Sequence, residues 1–266
     1  MEREAEAGWE VTEPAGGVRA PGVDMAGFRD RQGTGLDMRV LPQPVVTVVI
    51  GFEDAMLTVD GTAGRQRLGS LVAALFPGPT RIRSERVDCL ELHLSPMVAP
   101  AVLGASPVEL TGVVADLEDV WGRQAVRLRE QLAATAAGPQ RFALMDEFLA
   151  RRCAKSPSID PEVAASWEHI LAHRGRTRVG DLAASCGWSR KRLWSRFHAQ
   201  LGLTPKRAAM LVRFDHAARR LLAGKDVTET AIACGYADQS HLHRDVLAFA
   251  GCTPGALTDS PEGKPQ

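Results

Sequence analysis

Groups able to do covalent or metal chemistry are scarce in the first 160 residues of this 266-residue chain, which hold one histidine, His93. A catalytic metal site ordinarily draws on several histidines with a carboxylate, so this supply argues against a metal enzyme. The five cysteines, Cys89, Cys153, Cys186, Cys234 and Cys252, are odd in number and show no Cys-x-x-Cys spacing. They read as reduced side chains of a cytoplasmic protein, not as a disulfide framework. A serine nucleophile elbow and a phosphate-cradling glycine loop are both missing. The longest aliphatic run, 45–50, is far too short to span a bilayer. Residues 1–25 are rich in Glu, Ala and Gly without an apolar core, so no signal peptide is expected there. No catalytic residue, metal ligand or cofactor is expected.

Net charge is lacking as well, since 32 Lys and Arg balance 32 Asp and Glu. The distribution is uneven. Residues 160–258 carry 14 basic and 9 acidic side chains, a net of +5, and the remainder carries −5. An acidic front and a basic back fit a protein whose nucleic-acid contacts are confined to one end. With 45% apolar residues the chain is long enough for two domains with separate cores.

What the chain does have is a repeat. Residues 179–205 read VGDLAASCGWSRKRLWSRFHAQLGLTP and residues 227–254 read VTETAIACGYADQSHLHRDVLAFAGCTP. An offset of 48 pairs Ala183 with Ala231, Cys186 with Cys234, Gly187 with Gly235 and Trp188 with Tyr236. Beyond the turn an offset of 49 pairs Leu193 with Leu242, Phe197 with Val246 and Gly202 with Gly251, so the second turn holds one extra residue. Each copy is a short apolar helix, a Gly-aromatic turn and a second helix with a polar outer face. In the first, Leu182, Ala183 and Cys186 share one helix face, Ser189 is placed to cap, and Leu193, Phe197 and Leu201 point inward. This is the pattern of a helix-turn-helix, whose second helix can enter a DNA major groove.

The copies are joined by a helix capped by Thr204, opened by Pro205 and closed by Gly224, with Leu211, Phe214, Ala218 and Leu221 as its buried stripe. From 205 to 223 it spans about 28 Å at about 1.5 Å per residue. That approaches the roughly 34 Å between successive major-groove faces.

The outer faces carry the candidate DNA contacts. The first reading helix presents Arg190, Lys191, Arg192, Ser195 and Arg196 between its inward residues. Trp194 lies beside inward Leu193, where it either meets sugar or a thymine methyl or shields the core. The second reading helix offers Gln239, Ser240, His241, His243 and Arg244. Arginine can grip guanine through two hydrogen bonds, glutamine can pair with adenine, and lysine more often meets phosphate. His241 and His243 are two apart, hence on different sides of a helix, and make a poor metal pair. Asp238 and Asp245 lower the local charge of this second unit. A merely solvated basic face is the alternative for either helix.

Residues 160–257 resemble the DNA-binding domain of the AraC/XylS family of transcription regulators. The resemblance rests on two helix-turn-helix units, the central helix, and a Gly-x-x-Pro sequence after each unit, Gly202-Leu203-Thr204-Pro205 and Gly251-Cys252-Thr253-Pro254. It implies base-facing positions at Lys191, Trp194, Ser195 and Arg244, with Arg190 and Arg192 towards phosphate. Leu242 and Val246 depart from it, standing where the family commonly has an aromatic pair.

The front half reads as β-rich, with strands expected at 45–52, 56–59, 71–76 and 87–94. In the last, Leu90, Leu92 and Leu94 alternate with Cys89, Glu91 and His93. Helices follow: one opened by Ser95-Pro96 and ending near Gly104, then one started by a capping box at Ser106-Pro107-Val108-Glu109. Leu117, Trp121, Ala125, Leu128 and Leu132 form its stripe, and Phe142, Met145 and Leu149 mark another. Asp160 is placed to cap a helix carrying Val163, Trp167, Ile170 and Leu171. In the AraC/XylS family the front half is often a cupin-like effector-binding barrel, which this half resembles loosely.

The expected fold is therefore an α+β N-terminal domain, a small β-sandwich or barrel plus helices, followed by an all-α DNA-binding domain. Boundaries are set at 1–25 for a flexible leader, 26–150 for a sensor or dimerisation domain, 151–159 for a linker, 160–257 for the double helix-turn-helix, and 258–266 for a flexible tail. Double-stranded DNA is the expected partner, with RNA polymerase where the protein activates. A small-molecule effector and a second copy are candidates, and no membrane contact is expected. The rival readings are an enzyme or repair domain fused to a DNA-binding tail, and a protein-interaction module.

Overall fold

A computed structural model describes residues 8–18, 20–52, 55–61, 64–75, 78–135, 138–154 and 159–259. In chain order its strands are β1 (Trp9–Thr12), β2 (Val23–Asp30), β3 (Leu36–Val40), β4 (Val46–Gly51), β5 (Leu57–Gly61), β6 (Gly64–Leu68), β7 (Ser70–Ala73), β8 (Thr80–Ser84), β9 (Asp88–Leu94) and β10 (Val114–Asp116). They form two antiparallel sheets, one ordered β1-β2-β9-β4-β7-β10 and the other β3-β8-β5-β6.

The alternation in β9 sets the layering. Leu92 stands opposite Met25 on one side and Val48 on the other, and all three are buried. Leu90 and Leu94 point the same way, towards the helices, and join one hydrophobic cluster with them. Period 2 turns Cys89 to the opposite face, where with Val49, Leu71, Leu57 and Val59 it fills a smaller core between the sheets. Each such aliphatic side chain contributes about 1.5–3 kcal/mol by leaving water.

The helices on the first sheet are α1 (Ala99–Leu103), α2 (Pro107–Leu110), α3 (Leu117–Trp121), α4 (Arg123–Ala134) and α5 (Pro139–Cys153). Leu117, Trp121, Ala125, Leu128 and Leu132 are all buried, as their spacing predicts. The buried indole N–H of Trp121 donates to the Val102 carbonyl at 3.2 Å.

Several expectations for this half need correction. Strands expected at 45–52, 56–59, 71–76 and 87–94 are present as β4, β5, β7 and β9, with Phe76 outside the described residues. The leader is partly strand: β1 pairs with β2 from Trp9 opposite Asp30 to Thr12 opposite Gly27, and Val23 and Met25 are buried. Its Gly and Pro residues serve the connection between two strands instead of keeping the chain unstructured. The helix expected after Ser106 is interrupted. Ser106 makes no side-chain cap, α2 ends at Leu110, and β10 then pairs with β7 as the sheet's edge. Asp116 caps α3 instead, accepting from the Glu118 N–H at 2.8 Å, and Gly122 separates α3 from α4. Likewise α1 begins at Ala99, later than Ser95-Pro96 implies.

The expected linker also begins too early. Arg151, Arg152 and Cys153 are the last turn of α5. The Arg152 guanidinium donates to the carbonyls of Val102 and Leu103, the latter at 3.0 Å, and lies 5.1 Å from the Trp121 ring. Those C-terminal carbonyls of α1 have no partner within their own helix, which gives a half-buried cation a reason to be there. Linker residues 155–158, leader residues 1–7 and tail residues 260–266 lie outside the described residues.

The back half is α6 (Pro161–Ala172), α7 (Val179–Ser185), α8 (Arg190–Leu201), α9 (Pro205–Leu222), α10 (Val227–Ala233), α11 (Gln239–Ala250) and α12 (Pro254–Asp259). The expected caps hold at Ser189 and Thr204, which accept from the Arg192 and Arg207 N–H groups, and Asp226 caps α10 by accepting from the Glu229 N–H. Asp160 is the exception; its carboxylate turns away from its own helix. Along α9, Leu211, Phe214, Ala218 and Leu221 are buried. Where Leu242 and Val246 lack aromatic rings, Phe249 stacks on Phe214 with centroids 4.5 Å apart and supplies one. Among the described residues no helix is long and apolar enough to cross a membrane.

Candidate nucleic-acid interface

The two units share their backbone hydrogen bonds. In the first turn Gly187 N–H donates to Ala184 at 3.1 Å and Trp188 N–H to Ala183 at 3.0 Å. In the second, Gly235 N–H donates to Ile232 at 3.1 Å and Tyr236 N–H to Ala231 at 2.9 Å. Gly187 and Gly235 have φ of 67° and 74°, the left-handed conformation that glycine adopts without a Cβ penalty. The next helix is then capped by Ser189 at 3.2 Å in one unit and Asp238 at 2.7 Å in the other. The inserted residue is exposed Ala237, between the aromatic and the cap.

On α8, Leu193, Phe197 and Leu201 are buried, and Arg190, Lys191, Arg192, Trp194, Ser195 and Arg196 are exposed. Three of the cations have local engagements. The Arg192 guanidinium lies 4.4 Å over the Trp188 ring, and that of Arg190 lies against Gly180 at the start of α7. Arg196 makes two hydrogen bonds to Asp160, at 2.6 and 2.7 Å, tying α8 to the start of α6. These hydrogen bonds, with a further one from Gln200, hold the Asp160 carboxyl down at about 2. Trp194 is 49% exposed, and its ring centroid is 5.2 Å from that of His198.

On α11, Gln239, Ser240 and Arg244 are exposed, while His241 and His243 are half-buried. His241 packs edge-on against Tyr236 at 5.1 Å, and Arg244 Nε reaches the Ser240 carbonyl at 3.4 Å. Asp245 does not lie on this outer face. It is 7% exposed and accepts from Arg213 of α9 at 3.0 Å, and Arg213 in turn sits 4.4 Å over the Tyr236 ring. Burial pushes the Tyr236 hydroxyl above its ordinary range.

Two positions escaped the sequence reading. His198 follows Trp194 by four residues on α8, and Leu247, 57% exposed, is its counterpart on α11. The i, i+3, i+4 spacing through Trp194 and Ser195 leads to His198, and that through His243 and Arg244 leads to Leu247. A second basic group lies at the turn before α7. Arg174 Nη1 is 3.3 Å from His216 Nε2, and Arg176 packs against Gly235. Burial first, then Arg174 and Arg220, lower the His216 pKa, so the ring is neutral and accepts from Arg174. Burial also raises the pKa of Cys89, Cys153 and Cys234, which keeps these thiols protonated and poorly nucleophilic.

A family model described as a helix-turn-helix domain matches residues 182–260. This part of the chain is an AraC-type helix-turn-helix domain. Domains of this type are those of DNA-binding transcription regulators. Similar solved structures include ToxT from Vibrio cholerae O395, 9% identical, with 90% of this chain and 98% of that one covered at a TM-score of 0.47. The C-terminal domain of AraT, a response regulator from Geobacillus stearothermophilus, is 19% identical over 38% of this chain and 87% of its own, at 0.36. A transcriptional regulator from Chromobacterium violaceum with an AraC-type DNA-binding domain is 22% identical over 38% and 95%, at 0.35. A comparison with curated proteins gives no match. The AraC-type domain takes in both turns, from Leu182 on α7 through α12.

Proposed function

We propose that the protein is a sequence-specific transcription regulator that sets α8 and α11 into successive major-groove faces of one DNA duplex. The observation that carries this reading is the repeated turn geometry with an outward polar face on each second helix. Lys191, Trp194 and Ser195 would face bases from the first unit and Arg244 from the second. Arg190 and Arg192 fit phosphate contacts, Gln239 an adenine, and Ser240, His241 and His243 the flanks. Arg196 joins them only by leaving Asp160, so it ranks last among the eleven. The protein works in the cytoplasm, and the front module, ending with α5, senses an effector or holds a second copy. Where it activates, RNA polymerase is its partner.

Replacing Arg190, Lys191 and Arg192 together by Ala tests this. Operator binding is expected to weaken at least about tenfold, and the salt dependence to fall by about two phosphate contacts. Unchanged affinity and unchanged salt slope would assign the helical repeat to protein contact instead.

A further inference from the structure

The C-terminal end of the first reading helix is held by the front domain. Gly202 closes α8 with φ 76°, and its carbonyl accepts two hydrogen bonds. One comes from the Thr111 hydroxyl at the end of α2 in the front domain, whose single proton is shared between the Pro107 carbonyl at 2.7 Å and the Gly202 carbonyl at 3.1 Å. The other comes from His198 Nδ1 at 3.2 Å. A carbonyl only accepts, so the Nδ1 of His198 carries the proton, and the ring's tautomer and orientation follow. The approach of the two domains is close. A Cβ at position 202 would stand 2.5 Å from the Pro107 carbonyl oxygen. The His198 ring then meets the Trp194 indole, tilted by 54° with centroids 5.2 Å apart.

We infer that His198 is a positioning residue for Trp194, and that Thr111, by sharing the Gly202 carbonyl with it, couples front-domain docking to base reading by the first unit. This rests on the reading that Trp194 faces bases. A half-exposed indole with no neighbour must be ordered when DNA binds, and holding it beforehand removes that cost, worth about two- to tenfold in binding. The second unit lacks the chain of contacts. Leu247 takes the place of His198 and has no donor, and Gly251 is met by the Pro79 ring, which has none either. The front domain therefore touches both units and addresses the side chains of one.

The test is selection from a randomised pool of duplex DNA with the full chain, comparing the wild type with Trp194→Ala, His198→Ala, His198→Gln, Thr111→Val and Thr111→Ser. Thr111→Val keeps the shape and removes the hydroxyl, while Thr111→Ser keeps the donor. We expect His198→Ala and Thr111→Val to lower base discrimination under α8 about three- to tenfold and to leave that under α11 unchanged. His198→Gln and Thr111→Ser should restore it. If Trp194→Ala matters but His198→Ala and Thr111→Val keep wild-type preferences, the coupling is wrong. Equal losses under both helices would mean a general folding defect and would overturn it too. Unchanged preferences in Trp194→Ala would overturn the base-facing assignment beneath it.

Discussion

At the second turn of the reading helix the first unit carries Arg196, and the second carries Asp245 at the matching position. Arg196 turns outward along the helix to Asp160 before α6, with half its side chain in water. Asp245 turns inward to Arg213 of α9, with 9% of its side chain exposed. The turns before these residues match hydrogen bond for hydrogen bond up to Trp188 and Tyr236, and beyond them the charge changes sign and direction. The backbone geometry of the turn is thus common to the two copies, and the charge on the following helix differs between them. The glycine turn and caps are the common scaffold, and ion pairs are the means by which each copy is fixed to a different helix. The first copy keeps a cationic outer face; the second spends an acid on the core and shows a mixed polar face.

This difference predicts unequal responses to equivalent mutations. Asp245→Ala leaves Arg213 mostly buried without its partner and should cost about 3 kcal/mol in denaturant unfolding. Asp160→Ala breaks a pair in contact with water and should cost below about 1 kcal/mol. Equal losses would show that the two pairs are energetically alike and break the comparison. The smallest effect is with pH. The Asp160 carboxyl is held at about 2, below its unfolded value, so its contribution is complete above about pH 4 and is lost as pH falls through about 2. Carboxyl NMR should show that low midpoint in the wild type, and Arg196→Ala should raise it towards the ordinary aspartate range. No movement in that variant would remove Arg196 as the cause.

The helix-turn-helix units were legible because their signals are local. Gly187 and Gly235 each stand at a left-handed turn, Ser189 and Thr204 cap their own helices, and inward residues recur every three or four positions. Three of the four strands of the sheet ordered β3-β8-β5-β6 were hidden for the opposite reason. Strands β6 and β8 carry two arginines each and β3 one, and their order shows only across strands, as Arg81 bonds Asp37 at 2.6 Å and Arg65 bonds Asp60 at 2.6 Å. Asp60 lies five residues from Arg65, but Asp37 lies 44 from Arg81, beyond any local pattern. The outward positions of the candidate site could be read from helix periodicity. What Arg196 does could not, because Asp160 is 36 residues away. Nor could the meeting of Thr111 with Gly202 across 91 residues.

The central claim is that one chain reads two grooves with two copies of one unit. Nuclease footprinting of the purified protein on genomic fragments, its own promoter region among them, tests it most directly. The account predicts two protected segments about one helical turn, roughly 10 base pairs, apart for each copy of the chain. Salt-sensitive binding without a discrete footprint would contradict it, leaving the function to be sought in the front domain.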